Sequence, residues 1–345
     1  MRYTISILMA TALASPAFAE VPRVVTDFLP THALVSMVMG DLGQPEILME
    51  KGGNAHDFQL RPSQAAALAE AGLVIWAGPQ MSPWLDRTLD GLGDVPQLRL
   101  LDAPGTELRE FGATHDDHDH AEGKEVHGDH AEAEAGHEGH GHAAPEAAHE
   151  GHDHADHDAG HDDHTEPGHE DHAHEGIDPH AWLDPHNAAH WLTVIAEALA
   201  ARDPEHAAIY AANAAAGAER IAALDSELAA QLTPLQGKPF VVFHDAYGYF
   251  TAHYGLTVAG SVALGDATAP GAARLRALQD KAGAEALCLF PEAGHDPKLV
   301  AQMAEATGVK LGAPLDPEGA AIDPGPDAYA TLLRNLATNL ADCLN

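Results

Sequence analysis

The stretch Leu73-Val74-Ile75-Trp76-Ala77 is a continuous apolar run that ends at Gly78-Pro79. An apolar run of this length between turn residues is typical of a strand that is buried on both faces. On either side of it, short apolar runs alternate with stretches of helical spacing. This alternation predicts a mostly parallel sheet flanked by helices, which places the first half of the chain in the α/β class.

The elements of the first half follow from this alternation. The predicted strands are 24–28, 46–49, 73–77 and 97–101, and the predicted helices are 31–39, 61–71 and 85–92. Arg61-Pro62-Ser63 opens the second of these helices, with Ser63 as the predicted N-cap. A further short strand is predicted at 181–183, where ordered-looking sequence resumes after a long interruption.

A long helical stretch leads to the second half. Asp184-Pro185 predicts the N-cap and first residue of a helix to about residue 202, and Asp203-Pro204 opens another. Its helical spacing continues to about residue 235, which gives a length of about 45 Å and suits a strut between two lobes. The second half then repeats the alternation, with extended segments at 240–243, 257–264, 286–290 and 309–313, and helices at 246–253, 272–283, 297–307 and 327–344.

The segment 113–176 interrupts the first lobe with a different composition. Between His115 and His174 it holds 17 of the 26 histidines, 19 Asp or Glu residues and one Lys. Because large apolar side chains are almost absent, we expect it to be disordered without metal. Imidazole and carboxylate groups are ligands for first-row transition metals, so the segment indicates a protein that handles a metal ion, above all zinc. The alternative is a solvated acidic spacer.

The net charge of -36 also favours a cation as the ligand. Nucleic acid is disfavoured as a partner, because phosphate binding needs a basic face. The first residues have the features of a signal peptide: Arg2, an apolar run over 5–14, and Ala17-Phe18-Ala19 before Glu20. We therefore expect export and cleavage near Ala19, with an uncleaved membrane anchor as the alternative.

The two cysteines, Cys288 and Cys343, fit an exported protein. In an oxidising compartment two such residues more often pair than stay free, and in the chain-entropy description a bond closing this loop stabilises a fold by about 4 kcal/mol. Two unpaired buried thiols are the alternative. The predicted organisation is a signal peptide at 1–19, a first α/β lobe at 20–203 with the insert 113–176, a linking helix at 204–235 and a second α/β lobe at 236–345.

Three isolated histidines are the sharpest candidates for a metal site. His56 lies in a loop after a predicted strand, His180 comes just before the predicted strand 181–183, and His244 ends the strand 240–243. Ligands of open α/β sheets bind at strand ends, and three imidazoles with one oxygen make a normal zinc site. For each histidine alone, a structural or surface role is the alternative, because spacing does not show that the three converge.

Four segments resemble the zinc-binding proteins of bacterial high-affinity zinc ABC uptake systems, within the metal-binding cluster of substrate-binding proteins. They are Gly53-Asn54-Ala55-His56-Asp57-Phe58-Gln59-Leu60-Arg61-Pro62-Ser63, Leu73-Val74-Ile75-Trp76-Ala77-Gly78-Pro79, Asp178-Pro179-His180-Ala181-Trp182-Leu183-Asp184-Pro185 and Phe243-His244-Asp245-Ala246-Tyr247. The resemblance covers nearly the whole mature chain. It implies two α/β lobes joined by one long rigid helix, with metal held in the cleft between them.

The resemblance also implies roles for individual residues. His56 and His180 correspond to ligands from the first lobe and His244 to the ligand from the second lobe, with Cys288 and Cys343 forming a disulfide there. A third imidazole favours zinc over the harder ions that a carboxylate at that position suits. The fourth ligand stays open between water, Asp57, Glu292 and Asp296, because Ala55 stands where some zinc relatives have a carboxylate.

The implied function is capture of Zn(II) in the periplasm by a monomer and its delivery to an inner-membrane ABC permease with its ATPase, without chemistry on a substrate. The insert would bind further zinc or sense its abundance. Two alternatives are a zinc hydrolase, and a zinc store or nickel/cobalt chaperone that depends on the insert alone. Among the other histidines, His186 and His190 have chelating i, i+4 spacing, and polar or surface roles are expected for His32, His206, His253 and His295.

Overall fold

The structure is a computed structural model that describes residues 21–56, 58–111, 176–263 and 271–345. The predicted signal peptide, Asp57 and all of the predicted insert except Gly176 lie outside the described residues. Within the described part, no helix combines the length and the apolar character needed to cross a bilayer.

A parallel sheet forms the centre of the first half, as predicted. Its strands lie in the order β2-β1-β3-β4, and every neighbouring pair is parallel. The apolar run around Ile75 is β3, which lies between β1 and β4 and is buried along its whole length. The bounds are β1 Val24–Thr26, β2 Glu46–Ile47, β3 Leu73–Trp76, β4 Gln97–Arg99, α1 Leu29–Met39, α2 Pro62–Ala69 and α3 Pro83–Leu92.

Two local predictions in this half are wrong. Helix α2 begins at Pro62 with Arg61 as its N-cap, rather than at an N-cap of Ser63. The proline presets the helical φ of the first turn, and the side chain of Gln64 accepts a hydrogen bond from the backbone N–H of Arg61. The segment Ala181–Leu183 is a 3-10 turn, not a strand. It is held in that form by distant contacts, because the indole of Trp182 donates to the carbonyl of Pro317 at 2.8 Å.

Two helices connect the halves. Helix α4 spans Pro185–Arg202, and the predicted N-cap is confirmed, because the Asp184 carboxylate accepts the N–H of His186 at 2.8 Å. Helix α5 spans Ala207–Leu232 and is extended by single 3-10 turns at Pro204–His206 and Thr233–Leu235. Its buried positions recur at helical spacing, and they carry the core from one sheet towards the other.

The second half contains another parallel sheet, with strand order β6-β5-β7-β8. Its elements are β5 Phe240–Val242, β6 Val258–Ser261, β7 Cys288–Leu289, β8 Lys310–Leu311, α6 Gly248–Tyr254, α7 Ala272–Glu285, α8 Lys298–Thr307 and α9 Ala328–Leu344. The predicted end of α7 at Gly283 is wrong, since the helix continues until the N–H of Ala286 bonds to the carbonyl of Ala282. The Cys288–Cys343 disulfide is confirmed and ties β7 to α9.

One apolar core is shared by both sheets and the helices between them. The same cluster of buried residues contains Val24 and Ile75 of the first sheet, Leu224 and Leu228 of α5, and Val242 of the second sheet. The C-terminal helix α9 contributes to this cluster along its length and packs against α1 and α5. The two sheets are therefore held by continuous packing, while the proposed division of the chain at residues 204 and 235 stays a prediction.

Candidate metal centre

The structure brings the three predicted histidines together. His56 lies in the loop after β2, His180 directly precedes the 3-10 turn at 181–183, and His244 follows β5. The Nε2 atom of His180 is 3.3 Å from that of His56 and 3.3 Å from that of His244. His180 and His244 are each 1% exposed, whereas the ring of His56 is partly exposed to solvent. Among the three described rings, that of His56 is therefore the one in contact with solvent.

The spacing of the Nε2 atoms matches the size of a zinc ion. With Zn–N distances of 2.0–2.1 Å and tetrahedral angles, two nitrogen ligands lie about 3.3 Å apart. The Nε2 separations from His180 to His56 and from His180 to His244 are both 3.3 Å. Two edges of the cluster therefore have the length expected in a tetrahedral zinc site, while the rings of His56 and His244 are farther apart, with centroids at 6.2 Å.

Two buried carboxylates determine which nitrogen of the His180 and His244 rings is available to a metal. The Nδ1 of His180 is 2.7 Å from Asp178 Oδ1, and the Nδ1 of His244 is 2.7 Å from Glu292 Oε2. When each Nδ1–H donates to its carboxylate, both neutral rings present an Nε2 lone pair to the shared centre. Two lone pairs at 3.3 Å form no hydrogen bond with each other, whereas a cation between them is bound by both.

Burial also affects the carboxylate behind His180. It raises the pKa of Asp178 to about 7, and the backbone N–H of His180 acts in the opposite direction. Positive charge at the imidazole cluster favours the ionised carboxylate, since an opposite charge nearby stabilises the charged form. Asp178 and a cation at this centre therefore stabilise each other.

The carboxylates around the cluster differ in what they can bind. Glu292 already accepts from His244 and from the Tyr247 hydroxyl, so it lies behind the rings rather than among the lone pairs. Asp296 is exposed and pairs with Lys298, and Asp57 lies outside the described residues. Glu318 was not predicted, yet its Oε1 is 3.9 Å from His56 Nε2 and its side chain is 7% exposed.

Glu318 is directed to the site by its local backbone. Its Oε2 accepts the N–H of Ala55 at 3.0 Å, which joins it to the loop that carries His56. The following residue, Gly319, has φ +75, and a Cβ there would be 2.1 Å from Leu29 Cδ2, so no other residue fits without movement. The sequence signal was weak: a polar turn, Asp316-Pro317-Glu318-Gly319, after a predicted strand of the second sheet.

A cleft lies next to the cluster, because two of its lining residues, Glu292 and Glu318, contact His244 and His56. The cleft is lined by Gly52 and Asn54 on one side and by Glu292, His295 and Glu318 on the other. The profile of the family described as zinc-uptake complex component A, periplasmic, matches residues 24–343.

The chain belongs to the ZnuA family.

Relatives of this ZnuA-family chain match over nearly its whole length. The high-affinity zinc uptake system protein ZnuA of Paracoccus denitrificans (strain Pd 1222) is 56% identical over 344 residues, which is 98% of each chain. The protein of the same name from Brucella suis biovar 1 (strain 1330) is 40% identical over 344 residues, covering 99% of this chain and 97% of that one.

Solved structures show how widely the fold of this ZnuA-family chain is used. The laminin-binding protein Lmb of Streptococcus agalactiae, described as having adhesin and metal-transporting activity, has a TM-score of 0.68 at 22% identity and covers 94% of this chain and 100% of its own. FpvC of Pseudomonas aeruginosa, solved in complex with Mn2+, has a TM-score of 0.68 at 19% identity and covers 93% and 98%. The fold alone therefore does not select the metal, and the donor atoms must do so.

The remaining described histidines of the ZnuA-family chain make polar contacts. His190 Nε2 donates to the carbonyl of Pro104 at 2.8 Å, which engages one nitrogen of the i, i+4 pair His186 and His190. His206 Nδ1 is 2.7 Å from Asp203 Oδ2. The ring of His295 packs on that of Phe243, with centroids 4.4 Å apart. His32 is buried rather than at the surface, contacts Ser36, and has its pKa lowered by burial. His253 lies in a separate group of side chains with Asp184 and His186.

Proposed function

We propose that this protein captures Zn(II) in the periplasm and delivers it to an inner-membrane ABC permease with its ATPase, and that His56, His180 and His244 bind the ion. Membership of the ZnuA family supports zinc uptake. The observation that carries the ligand assignment is the pair of 3.3 Å Nε2 separations, which match two edges of a tetrahedral zinc site. Zinc is the cargo, and no step of chemistry on another substrate is needed.

Glu318 is our proposed fourth ligand. Its Oε1 is 3.9 Å from His56 Nε2, about 0.6 Å more than the edge of a tetrahedral site. The hydrogen bond from Ala55 to Oε2 leaves Oε1 directed to the cluster. A carboxylate here adds negative charge to three neutral imidazoles, which strengthens binding of a divalent cation.

The donor set favours zinc among the biological divalent ions. Imidazole nitrogen suits zinc, whereas manganese and magnesium prefer oxygen ligands. Three imidazoles and one carboxylate therefore bind zinc better than the harder ions, and nickel, cobalt and copper remain competitors by ligand type.

A binding protein fits the site better than a zinc hydrolase does. Catalytic zinc sites keep one position open for water, with three protein ligands. With Glu318 in the fourth position the coordination sphere of zinc is closed, and the carboxylates of Asp178 and Glu292 are engaged in orienting the histidines.

We propose that the mature chain begins near Glu20 and acts as a monomer.

The decisive experiment is a calorimetric titration of the metal-free mature protein with Zn(II). The wild type is compared with a variant that carries His56→Ala, His180→Ala and His244→Ala, and His190→Ala serves as a control outside the cluster. We expect one tight site that the triple variant loses and the control keeps, with weaker sites remaining in both. Identical isotherms for wild type and triple variant would assign all binding to the insert, as in a zinc store, and would overturn the proposal.

The insert 113–176 is proposed to bind further zinc more weakly and to raise its concentration near the tight site. Deletion of residues 115–174 tests this role. We expect lower zinc stoichiometry and slower transfer to the permease when zinc is scarce. An unchanged stoichiometry and transfer rate would reduce the insert to an acidic spacer.

A further inference from the structure

A second group of metal-binding side chains lies where α4 begins and α6 ends. Asp184 is the N-cap of α4, His186 is in the first turn of that helix, and His253 is the penultimate residue of α6. The candidate ligand atoms of these three residues all lie within 4.8 Å of one another. They share no side chain with the histidine cluster described above.

The distances within the group fit a shared ion. Asp184 Oδ1 is 3.3 Å from His253 Nδ1 and 4.0 Å from His186 Nδ1. The rings of His186 and His253 are edge to face, with centroids 4.8 Å apart. The side chains of Asp184 and His253 are each 13% exposed, whereas that of His186 is 69% exposed. Two ligands are thus fixed, and the third is free to swing by the roughly 1 Å that a common zinc ion requires.

Asp225 of α5 prepares His253 for metal binding. Asp225 Oδ1 is 2.7 Å from His253 Nε2, so this nitrogen carries the proton and donates it. The opposite nitrogen, Nδ1, then presents a lone pair on the side of Asp184. A carboxylate that accepts from the distal nitrogen of a histidine is the usual arrangement behind a metal ligand.

The negative charge of the carboxylates in this group also favours a bound cation. In the part of the chain that the structure describes, Asp184 and Asp225 form their ion pairs with histidines and not with Lys or Arg. The two carboxylates contact opposite nitrogens of His253, Asp184 at Nδ1 and Asp225 at Nε2, and their side chains are only 13% and 24% exposed. A divalent metal on the Asp184 side of the ring offsets this negative charge, and His186 adds a second nitrogen donor there.

We propose that Asp184, His186 and His253 form a second zinc site, weaker than the first, with Asp225 as the positioning residue for His253. Water completes the coordination on the exposed side of His186. Zinc bound here links α4 to α6, the helix that follows His244, and therefore stabilises the packing of these two helices.

Diffraction at the zinc absorption edge tests the site on the full mature chain. Crystals loaded with excess Zn(II) are expected to show an anomalous peak between Asp184, His186 and His253, in addition to the peak at the histidine cluster. A peak at the cluster without one here would overturn the proposal. Failure of the first peak alone would instead overturn the proposed function, so the two outcomes are distinguishable.

Equilibrium dialysis gives an independent measurement. His186→Ala is the main variant because its exposed side chain contributes little to folding, and His190→Ala, one turn further along α4, is the control. Since the insert is identical in all samples, we expect His186→Ala to bind one zinc fewer than wild type at high zinc, with the tight site unchanged. We expect Asp225→Asn to weaken this second site about tenfold or more, as loss of the orienting carboxylate does elsewhere. Equal stoichiometry for wild type and His186→Ala would refute the site.

Discussion

Replacement of Glu292 by Ala tests whether zinc affinity depends on the carboxylate behind His244. The Oε2 of Glu292 is 2.7 Å from His244 Nδ1, and its side chain is 3% exposed. Without it, the His244 ring loses the partner that fixes both its orientation and its tautomer. Part of the binding energy is then needed to order the ring, so zinc affinity must fall even though every proposed ligand is still present.

The size of the effect follows from the bond that is lost. Removing a carboxylate behind a metal-bound histidine costs about 10- to 100-fold in affinity, which is about 1.4–2.7 kcal/mol. Glu292→Gln keeps an acceptor but removes the charge, and charge-assisted hydrogen bonds are roughly twice as strong as neutral ones. We therefore expect the Gln variant to lose about half of that free energy, or about 3- to 10-fold in affinity.

Competition with a tight-binding chromophoric chelator measures this loss, because at buffered low zinc only the tightest site fills. Asp296→Asn is the matched control: it removes a carboxylate four residues away that is exposed and pairs with Lys298. The expected order of affinity is wild type equal to Asp296→Asn, then Glu292→Gln, then Glu292→Ala. Wild-type affinity in Glu292→Ala, or an equal loss in Asp296→Asn, would refute the tautomer argument.

Three further predictions concern stability and pH. Replacing Cys288 and Cys343 by Ala should lower the free energy of unfolding in urea by about 4 kcal/mol, since the bridge closes a loop of 55 residues; a midpoint equal to that of the oxidised wild type would contradict this. Burial raises the pKa of Asp27 to about 6 from its usual 3.8, so its contribution to stability is full below pH 3.8 and lost as pH rises through 6. Relative to Asp27→Asn, wild type should thus lose about 3 kcal/mol between pH 3.5 and 7.5 in pH-dependent urea unfolding, and a constant difference would contradict the burial argument. Zinc affinity should fall below about pH 6, because imidazole must be neutral to bind and its ordinary pKa is about 6.5; chelator competition that gives the same affinity at pH 7 and pH 5 would argue against histidine ligands.

The α/β architecture was predictable because its signals are local. The apolar run at Leu73–Trp76 and its counterparts are short, bounded by turn residues and alternate with helical spacing, so both sheets could be expected from the sequence. The places where prediction failed depend on partners far away in the chain. The segment Ala181–Leu183 is a turn because Pro317 and Tyr329 bond to Trp182, and three residues give no periodicity that could indicate this.

The residues of the candidate site were likewise predictable only in part. His56, His180 and His244 stand at the ends of predicted elements, where ligands bind, and the family resemblance singled them out. Glu318 could not be found, because its approach to His56 depends on a contact between residues 263 positions apart. The orienting role of Asp178 was likewise hidden, although it stands only two residues from His180, since a hydrogen bond to Nδ1 depends on the ring's rotamer.

Two buried tyrosines form hydrogen bonds between the halves of the molecule beside the site. The hydroxyl of Tyr329 donates to the carbonyl of Trp182 at 2.9 Å, and that of Tyr249 donates to the carbonyl of Asp178 at 3.0 Å. Swinging the lobes apart would leave these groups without partners, at about 1–3 kcal/mol each, and would expose the shared core. We therefore expect zinc release to begin with local opening of the loop 50–54, which lines the cleft and is exposed at residues 50–52, rather than with a hinge motion. A docked permease that displaces this loop is then expected to raise the off-rate of zinc, so the off-rate of the complex should exceed that of the free protein.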